Sequence, residues 1–384
     1  MKILFAADVS FNYIPEYCGD EKAVSAFSEV AEEFQNADFS MVNLENILGN
    51  REDYEPIEKC GPNLIAEDSF IKYIETLNPS AVGLANNHTY DYGEKAMLHT
   101  MDLLRSRGYQ ICGAGENIDE AYRPAVFQKD GVKVYVIAVC ENEFGTAKKN
   151  LSGAAGYNLT RVKNAIKSAI SEGAKPIVYF HGGNEKNPFP SPGKKELYRH
   201  FIDMGASAVI AMHTHCPQGY EVYDGAPIIY SMGNFYFPTP SASDLMPSWS
   251  IGYMTKLDIS EDGISFEIIP YRFDIDGLYL LKGAEKENFM KYIGELCNPI
   301  GDDGKLQEYF DAWCAIYGIG GYLNFIAFKA EMVSGTSCAC LKNLLSCEAH
   351  NELIQNSIKI VFERRCEEAK KYIPHIKNMQ NIKL

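Results

Sequence analysis

Polar side chains suited to binding metal ions follow five separate apolar segments that are predicted to be β-strands. Up to about residue 270, such segments alternate with amphipathic stretches, which is typical of strands joined by crossover helices. Because the carboxyl ends of parallel strands meet at one edge of a sheet, side chains there converge. The candidate ligands at these five ends are Asp8, Glu45, Asn87, His181, His213 and His215. The sequence therefore predicts an α/β fold with a metal site at one sheet edge.

The mixture of carboxylate, amide and imidazole groups indicates which chemistry such a site can perform. This donor set suits Mn, Fe, Zn or Ni ions. Two divalent ions bridged by a carboxylate can supply a hydroxide nucleophile and neutralise the charge that builds up during phosphoester hydrolysis. We expect Glu45 to be the bridging carboxylate. The other expected ligands are Asp8 and His215 for the first ion, and Asn87, His181 and His213 for the second.

Five further residues of these loops have expected roles around the ions. His88 follows a predicted ligand and is free to protonate a leaving group or to hold a phosphoryl oxygen. Asp91, three residues later, can orient His88 and keep it charged. Asn43 and Asn86 are expected to hold backbone groups beside the ligands. Glu185 either supports a ligand histidine or is a solvated charge.

Each of these residue types also has a simpler explanation when it is considered alone. Aspartate is common in turns after strands, a glutamate can cap the next helix, and a lone histidine is usually an ordinary surface residue. The combination of such residues at five strand ends favours one shared site over separate explanations. The segment 231–235 is interpreted as a tight turn. No functional role is expected for the histidines on predicted helices, which are His99, His200, His350 and His375.

Two long stretches of the chain resemble a known protein family. Residues 78–140, with LANNHTYDYG, and residues 178–237, with HGGNE, GASAVIAMHTH and IIYSMGNFYF, are similar to the CapA (PGA_cap) capsule-synthesis family. With the motifs at residues 8 and 43–45, the likeness covers about residues 1–270. That family is a branch of the calcineurin-like metallophosphoesterases, so the resemblance implies a four-layer α/β/β/α sandwich, a metal-binding Asn87 and a catalytic His88. It also implies an anionic substrate or polymer such as poly-γ-glutamate.

Three positions depart from the pattern of that family. Ala7 precedes the first aspartate where the family usually has glycine, and Ser10 stands where the wider superfamily often has histidine. The resemblance therefore implies a first ion site with fewer ligands. Gly182 stands where a bulky aromatic residue usually follows the histidine of the fourth motif, which reshapes the pocket.

Two classes of function are consistent with these residues. The leading hypothesis is a metal-dependent hydrolase that acts on a phosphoester or a γ-glutamyl amide. The alternative is a binding or assembly protein that keeps the pocket and holds an anionic polymer for a separate synthase. Ser10 and the helical appendage predicted at the end of the chain both favour it. The formal net charge of −15 excludes nucleic acid as the main expected partner, because a phosphate backbone is repelled.

The pattern of the chain changes after residue 274. Residues 282–297, 305–317 and 348–372 are predicted to be helices, so we expect a metallophosphoesterase-fold domain over 1–274 and a helical appendage of unknown role over 275–384. None of the apolar runs is long enough for a signal-peptide core or a membrane span, so the chain as given is expected to be cytoplasmic, or extracellular if a leader has been removed.

The eleven cysteines follow no paired spacing. Most of them lie in apolar settings, such as Cys112 and Cys140, which favours buried free thiols in a reducing compartment. The close pair Cys338 and Cys340 has no histidine near it in sequence. We therefore interpret that pair as structural.

Overall fold

The structure is a computed structural model that describes residues 1–14, 19–239, 246–329, 335–382 and 384. Eighteen strands, β1 to β18 in chain order, are formed by these residues. They are Lys2–Val9, Phe39–Leu44, Ile47–Leu48, Ile65–Ala66, Ala81–Gly83, Gln110–Cys112, Ala114–Gly115, Ala125–Lys129, Val132–Cys140, Gly153–Ala154, Lys175–His181, Ala208–Met212, Tyr220–Tyr223, Ala226–Ile229, Asn234–Tyr236, Ile251–Ile259, Ile264–Phe273 and Leu278–Leu280.

The first sheet has the strand order β18-β17-β16-β1-β2-β5-β6, and β15 also pairs with β1. Strands β1, β2, β5 and β6 are parallel, whereas β16, β17 and β18 run antiparallel. From its second residue onwards, β1 is buried at every position. A strand covered on both faces reads as a continuous apolar run, and for this reason Asp8 near its end is conspicuous.

The second sheet has the strand order β13-β14-β12-β11-β9-β8. Its central strands β9, β11, β12 and β14 are parallel, and the two outer strands are antiparallel to their neighbours. The carboxyl ends of β9, β11 and β12 therefore lie side by side at one edge of this sheet.

The two sheets pack face to face, with helices on their outer faces. Between the sheets, the rings of Phe5 and Tyr179 lie 5.9 Å apart, and the Tyr179 hydroxyl donates to the carbonyl oxygen of Ala6. The helices Leu159–Ser171 and Pro192–Asp203 bury their apolar sides against the second sheet in a separate cluster. The helix Gly93–Ser106 packs against β6 of the first sheet. The predicted four-layer α/β/β/α arrangement with a C-terminal helical region is confirmed.

The α-helices of the described residues fall into two groups along the chain. Those before residue 274 are Asp20–Ala26, Ala31–Gln35, Ile71–Leu77, Gly93–Ser106, Ile118–Ala121, Leu159–Ser171 and Pro192–Asp203. Those after it are Gly283–Cys297, Asp303–Trp313, Leu323–Lys329, Gly335–Ser346, Glu348–Phe362, Cys366–Ala369 and Ile373–Gln380, and Cys314–Tyr322 is a π-helical segment.

The C-terminal region differs from the prediction in its details. The helix expected over 348–372 ends at Phe362, where Arg364 adopts a φ of 55° that a right-handed helix cannot continue. Strand Leu278–Leu280 extends the first sheet beyond residue 274. The division of the chain into two domains at that residue stays a prediction.

Two further features differ from the interpretation of the sequence. Most cysteines of the described residues are free thiols, as expected, but one pair is not. Cys60 and Cys340 form a disulfide between positions 280 residues apart, so these two are not free thiols. Spacing gave no signal for this pair, because its members are so distant in sequence. The segment interpreted as a turn contains a short strand, Asn234–Tyr236, that pairs in parallel with β1.

No helix in the described part of the chain combines the length and apolar character needed to traverse a lipid bilayer.

Candidate metal centre

The six predicted ligands come together where the carboxyl ends of the two sheets meet. Asp8 lies near the end of β1, and Glu45 directly follows β2. Asn87 follows β5, His181 is the last residue of β11, and His213 and His215 follow β12. Two groups of ligand atoms each lie within 4.8 Å of one another: the first contains Asp8, Glu45 and His215, and the second contains Glu45, His181 and His213. Glu45 belongs to both groups, as a bridging carboxylate must.

The Glu45 carboxylate is buried without any hydrogen-bond partner. Its exposed fraction is 0%, and neither Oε1 nor Oε2 accepts a hydrogen bond from the described residues. The nearest nitrogens are those of two imidazoles: Oε1 lies 3.5 Å from Nε2 of His181 and 3.9 Å from Nε2 of His88. A buried carboxylate that accepts no hydrogen bond is costly, and buried charges in proteins are normally paired or coordinate a metal. Together with the mixed donors around it, the orphaned carboxylate fits a pair of divalent cations that share Glu45.

The second group is organised around His181. Its Nε2 lies 3.0 Å from Oδ1 of Asn87 and 2.9 Å from Nδ1 of His213. Burial lowers the pKa of His181, but the carboxylates of Asp8 and Glu45 outweigh it and raise that pKa to about 10. For His213, burial and the neighbouring imidazoles hold the pKa well below its usual value. The carboxylates thus favour a positive charge at this point, which a metal ion would supply in place of the His181 proton. His213 stays neutral, as a metal ligand must.

The first group is held by hydrogen bonds from outside it. Asp8 accepts from Nδ2 of Asn43 at 2.7 Å and from the backbone N–H of His213 at 2.9 Å. Nδ1 of His215 lies 2.8 Å from Oδ1 of Asn234, which directs the other ring nitrogen away from this contact. A hydrogen bond of this kind fixes the tautomer and orientation of a ligating histidine.

The backbone of the loop after β12 is strained at both histidines. His213 has a φ of 99° and His215 a φ of 55°, values in the left-handed region that non-glycine residues rarely adopt. Such conformations cost about 1–3 kcal/mol each and persist where the surroundings impose them, often at functional sites. The hydrogen bond from His213 N–H to Asp8 is one such constraint.

His88 lies beside the ligand groups but belongs to neither of them. Its Nδ1 is 2.7 Å from Oδ2 of Asp91, and its Nε2 is 3.9 Å from Oε1 of Glu45. Lys59, buried as well, forms an ion pair with the other oxygen of Asp91 and lies 3.2 Å from Nδ1 of His88. Asp91 and Lys59 therefore hold the His88 ring at Nδ1, and Nε2 is directed towards Glu45.

The two asparagines expected beside the ligands hold different groups. Asn43 bonds the Asp8 carboxylate directly, so it acts on a ligand side chain and not on the backbone. Asn86 donates to the Leu44 carbonyl, and its Oδ1 accepts from the backbone N–H of His88. Asn86 thus joins the loop that carries Glu45 to the loop that carries His88.

Glu185 reaches solvent although the surrounding loops enclose it, and it belongs to neither ligand group. Burial raises the pKa of its carboxyl, but the nearby charges of His215, Lys186 and other cations outweigh burial and hold that pKa below its usual value. Its charge therefore acts on the centre without making it a candidate ligand.

Several residues of the site escaped the sequence analysis. Glu143 lies 3.8 Å from Nε2 of His213, in the loop that follows β9. The rule that identified the other loops would have found it, since β9 is another parallel strand of the same sheet. Asn234 lies in the segment 231–235, which the sequence pattern predicted to be a turn without a function. Lys59 lies in a loop 29 residues before His88, and no motif surrounds it.

Comparison with known proteins identifies the family of this chain. The family model described as "Bacterial capsule synthesis protein PGA_cap" matches residues 2–239. The chain is 27% identical to the PGA biosynthesis protein CapA of Bacillus subtilis over 61% of this chain and 62% of that protein. It is also 27% identical to the capsule biosynthesis protein CapA of Bacillus anthracis, over 55% of this chain and 53% of that protein. The matches thus span less than two thirds of either relative.

Among solved structures, a hypothetical protein from Thermus thermophilus is similar over 73% of this chain and all of that chain, with 15% identity and a TM-score of 0.43. A TM-score this low carries no argument about function. The match over residues 2–239, which contain all six candidate ligands, identifies the family: the chain belongs to the bacterial capsule synthesis protein PGA_cap family.

Proposed function

We propose that this protein is a metal-dependent hydrolase that acts on an anionic substrate, either a phosphoester or a γ-glutamyl amide. The observation that carries the proposal is the buried Glu45 carboxylate, whose two oxygens have no hydrogen-bond partner among the described residues. It is shared by the two groups of candidate ligands. A carboxylate used only for structure would be neutralised by donors instead of being surrounded by further acceptors and imidazoles.

The candidate ligands would hold two metal ions, which take part in such a reaction. Bound divalent ions would supply a nucleophilic hydroxide near neutral pH and neutralise negative charge on the substrate. Asp8, Glu45 and His215 would hold one ion, and Glu45, Asn87, His181 and His213 the other. Mn, Fe, Zn and Ni are the candidate metals for these donors.

His88 is proposed to transfer a proton to the leaving group. Because Nδ1 donates to Asp91, the nitrogen that faces the centre is Nε2, and a proton carried there is available to a departing oxygen or nitrogen. Lys59 and Asp91 fix the ring in this orientation. Proton transfer from a positioned side chain contributes ~10²–10⁴-fold in rate.

The names of the relatives suggest the kind of substrate. The relatives in the two Bacillus species are described as PGA biosynthesis and capsule biosynthesis proteins. We propose that this chain acts on, or binds, an anionic polymer of the poly-γ-glutamate type or a phosphorylated intermediate.

The test combines a metal assay with a substrate screen. Protein purified after growth in Mn, Fe and Zn is expected to contain up to two transition-metal ions per chain and to hydrolyse an aryl phosphodiester or a γ-glutamyl anilide. The variant His88→Ala should keep its metal but lose ~10²–10⁴-fold in kcat. The matched control His99→Ala changes a histidine that pairs with Asp68 outside the site, and should be unaffected. Metal-free protein, or full activity in His88→Ala, would contradict the proposal.

One observation favours a binding or assembly protein as a second candidate. Ser10 stands where related enzymes often have a histidine, so the first ion would have three protein ligands. Three ligands also leave open positions, as catalytic metal sites require. Turnover in the presence of added Mn separates the two candidates, because the assembly protein would bind an anionic polymer without hydrolysing it.

A further inference from the structure

The C-terminal helices are fastened to the same loops that carry the candidate ligands. Ala349, near the start of the helix Glu348–Phe362, donates its backbone N–H to Oε1 of Glu141 at 2.9 Å. Its carbonyl oxygen accepts from Nδ2 of Asn184 at 3.2 Å. Glu141 follows β9 and Asn184 follows β11, three residues after His181. Both backbone groups of one helical residue are thus held by the rim of the metal centre.

Further hydrogen bonds attach two C-terminal helices to the loop that follows β9. Oε2 and Oε1 of Glu348 accept from the backbone N–H and the side chain of Asn142, at 2.9 and 2.6 Å. Asn343 of the preceding helix donates to Oε2 of Glu143 at 3.2 Å. We call the helices Gly335–Ser346 and Glu348–Phe362 the capping helices, because they cover the loops after β9 and β11.

The capping helices leave an opening beside the centre. A cavity of about 300 Å³ is bounded on one side by Tyr90 and Glu143 and on the other by Lys342 and Asn343 of the first capping helix. Glu143 also faces His213 at 3.8 Å, so this cavity borders the second group of ligands. Lys148 and Lys342 are exposed at its edge.

His350 is the capping-helix residue best placed to meet a substrate. It directly follows Ala349, and its Nδ1 is buried with no hydrogen-bond partner among the described residues. Its ring contacts that of Tyr322, with centroids 5.4 Å apart. His350 lies close enough to Glu143, Glu185 and His213 to influence their pKa values, and these residues border the centre. A buried nitrogen without a partner is costly, and a ligand group that bonds it would remove the cost.

We propose that His350 binds an oxyanion of the substrate, so that the capping helices contribute a residue to the substrate-binding wall. The oxyanion is a phosphoryl oxygen in a phosphoester or a carboxylate in a glutamate unit. The inference rests on the proposed function and assigns a role to a residue outside the segment 2–239 that defines the family match.

The experiment compares His350→Ala and His350→Gln with the control His200→Ala, which changes an exposed histidine on the helix Pro192–Asp203. Steady-state kinetics with an aryl phosphodiester and with a γ-glutamyl anilide distinguish the two kinds of oxyanion. We expect His350→Ala to raise KM about tenfold, as loss of a hydrogen bond to a charged group does, with kcat changed less than threefold. His350→Gln, which keeps a donor, should recover part of the loss.

Metal content, unfolding midpoint and the Kd of inorganic phosphate for the Mn-loaded protein are measured in parallel. If the wild type binds phosphate without turnover, the hydrolase proposal fails, while weaker phosphate binding in both His350 variants still supports the inference. Unchanged KM and Kd in both variants would overturn it. It would equally be overturned if weaker binding came only with lost metal or a lowered unfolding midpoint, because His350 would then be structural.

Discussion

The candidate metal centre and the capping helices occupy one face of the molecule, yet they are built in different ways. The ligands of the centre lie at the ends of parallel strands, whose spacing is determined by backbone hydrogen bonds within each sheet. The capping helices are attached at the same place by the side chains of Glu348 and Asn343, by the backbone groups of Ala349 and by the disulfide at Cys340. A site can therefore combine a part with regular backbone geometry and a part that depends entirely on tertiary contacts.

Because the two regions are built differently, metal binding and the attachment of the helices should respond to different substitutions. Loss of a ligand in the centre should abolish metal binding with little effect on how the helices dock. Loss of a docking contact should instead weaken the attachment of the helices and leave the ions in place. The two regions are independent if substitutions in one change metal binding and substitutions in the other change only the stability of the attached helices.

The largest effect is expected for Glu45→Gln. Removal of the shared carboxylate should release both ions and lower activity at least ~10³-fold, because the nucleophile and the charge neutralisation are lost together. In ion-free protein, the same change should lower the unfolding midpoint, because it removes one of the two carboxylates beside His181, whose Nε2 lies 3.5 Å from Oε1 of Glu45. Elemental analysis and thermal unfolding with and without Mn measure both effects. The control Glu94→Gln changes an exposed carboxylate on the helix Gly93–Ser106, in neither ligand group, and should retain both ions.

The same contrast explains how much could be predicted from the sequence. Asp8, Glu45 and His181 could be assigned to one place because each follows a recognisable strand and parallel strands end together. His350 could not, because helical periodicity tells which side of a helix is apolar but not which loop that helix meets. The partner of Cys340 was unpredictable for the same reason. The assignment of these residues to roles in catalysis stays a prediction.

The second largest effect is expected at the disulfide between Cys60 and Cys340. A crosslink between positions 280 residues apart restricts the unfolded chain strongly, and such bonds typically contribute ~2–4 kcal/mol. Cys340→Ser should lower the free energy of unfolding by this amount while metal content stays unchanged. The control Cys338→Ser alters an exposed free thiol on the same helix and should have no effect. Denaturant unfolding of the wild type in strong reductant should match the Cys340→Ser variant; equal stability of oxidised wild type and variant would contradict the prediction.

A smaller effect is expected for Asn234→Ala. Oδ1 of Asn234 lies 2.8 Å from Nδ1 of His215, and loss of such a partner typically costs ~10–100-fold in metal affinity. Only the ion bound by Asp8, Glu45 and His215 should be affected. The second ion is the internal control, because its other ligands do not contact Asn234. Titration with Mn, followed by calorimetry, should resolve one weakened site and one unchanged site; equal weakening of both would mean that the substitution acts on the fold.

The smallest effect concerns the pH dependence of the attachment of the second capping helix. Glu352 accepts from the Ser191 hydroxyl at 2.5 Å and from the backbone N–H of Gly193 at 2.8 Å, and burial raises the pKa of its carboxyl. A carboxyl with a raised pKa keeps its proton in the folded protein after the unfolded chain has lost it, at about pH 4.3. The stability that it contributes is therefore complete below that pH and is lost as the pH rises through the folded pKa.

Glu352→Gln removes this titration, so the unfolding free energy of the variant should fall less between pH 4.5 and 7.5 than that of the wild type. Glu287→Gln, at an exposed position of the helix Gly283–Cys297, should leave the slope unchanged. Identical slopes in all three proteins would mean that Glu352 is ionised in the folded state at both pH values. The hydrogen bonds from Ser191 and Gly193 would then outweigh burial, and the attachment of the capping helix would not depend on pH through this residue.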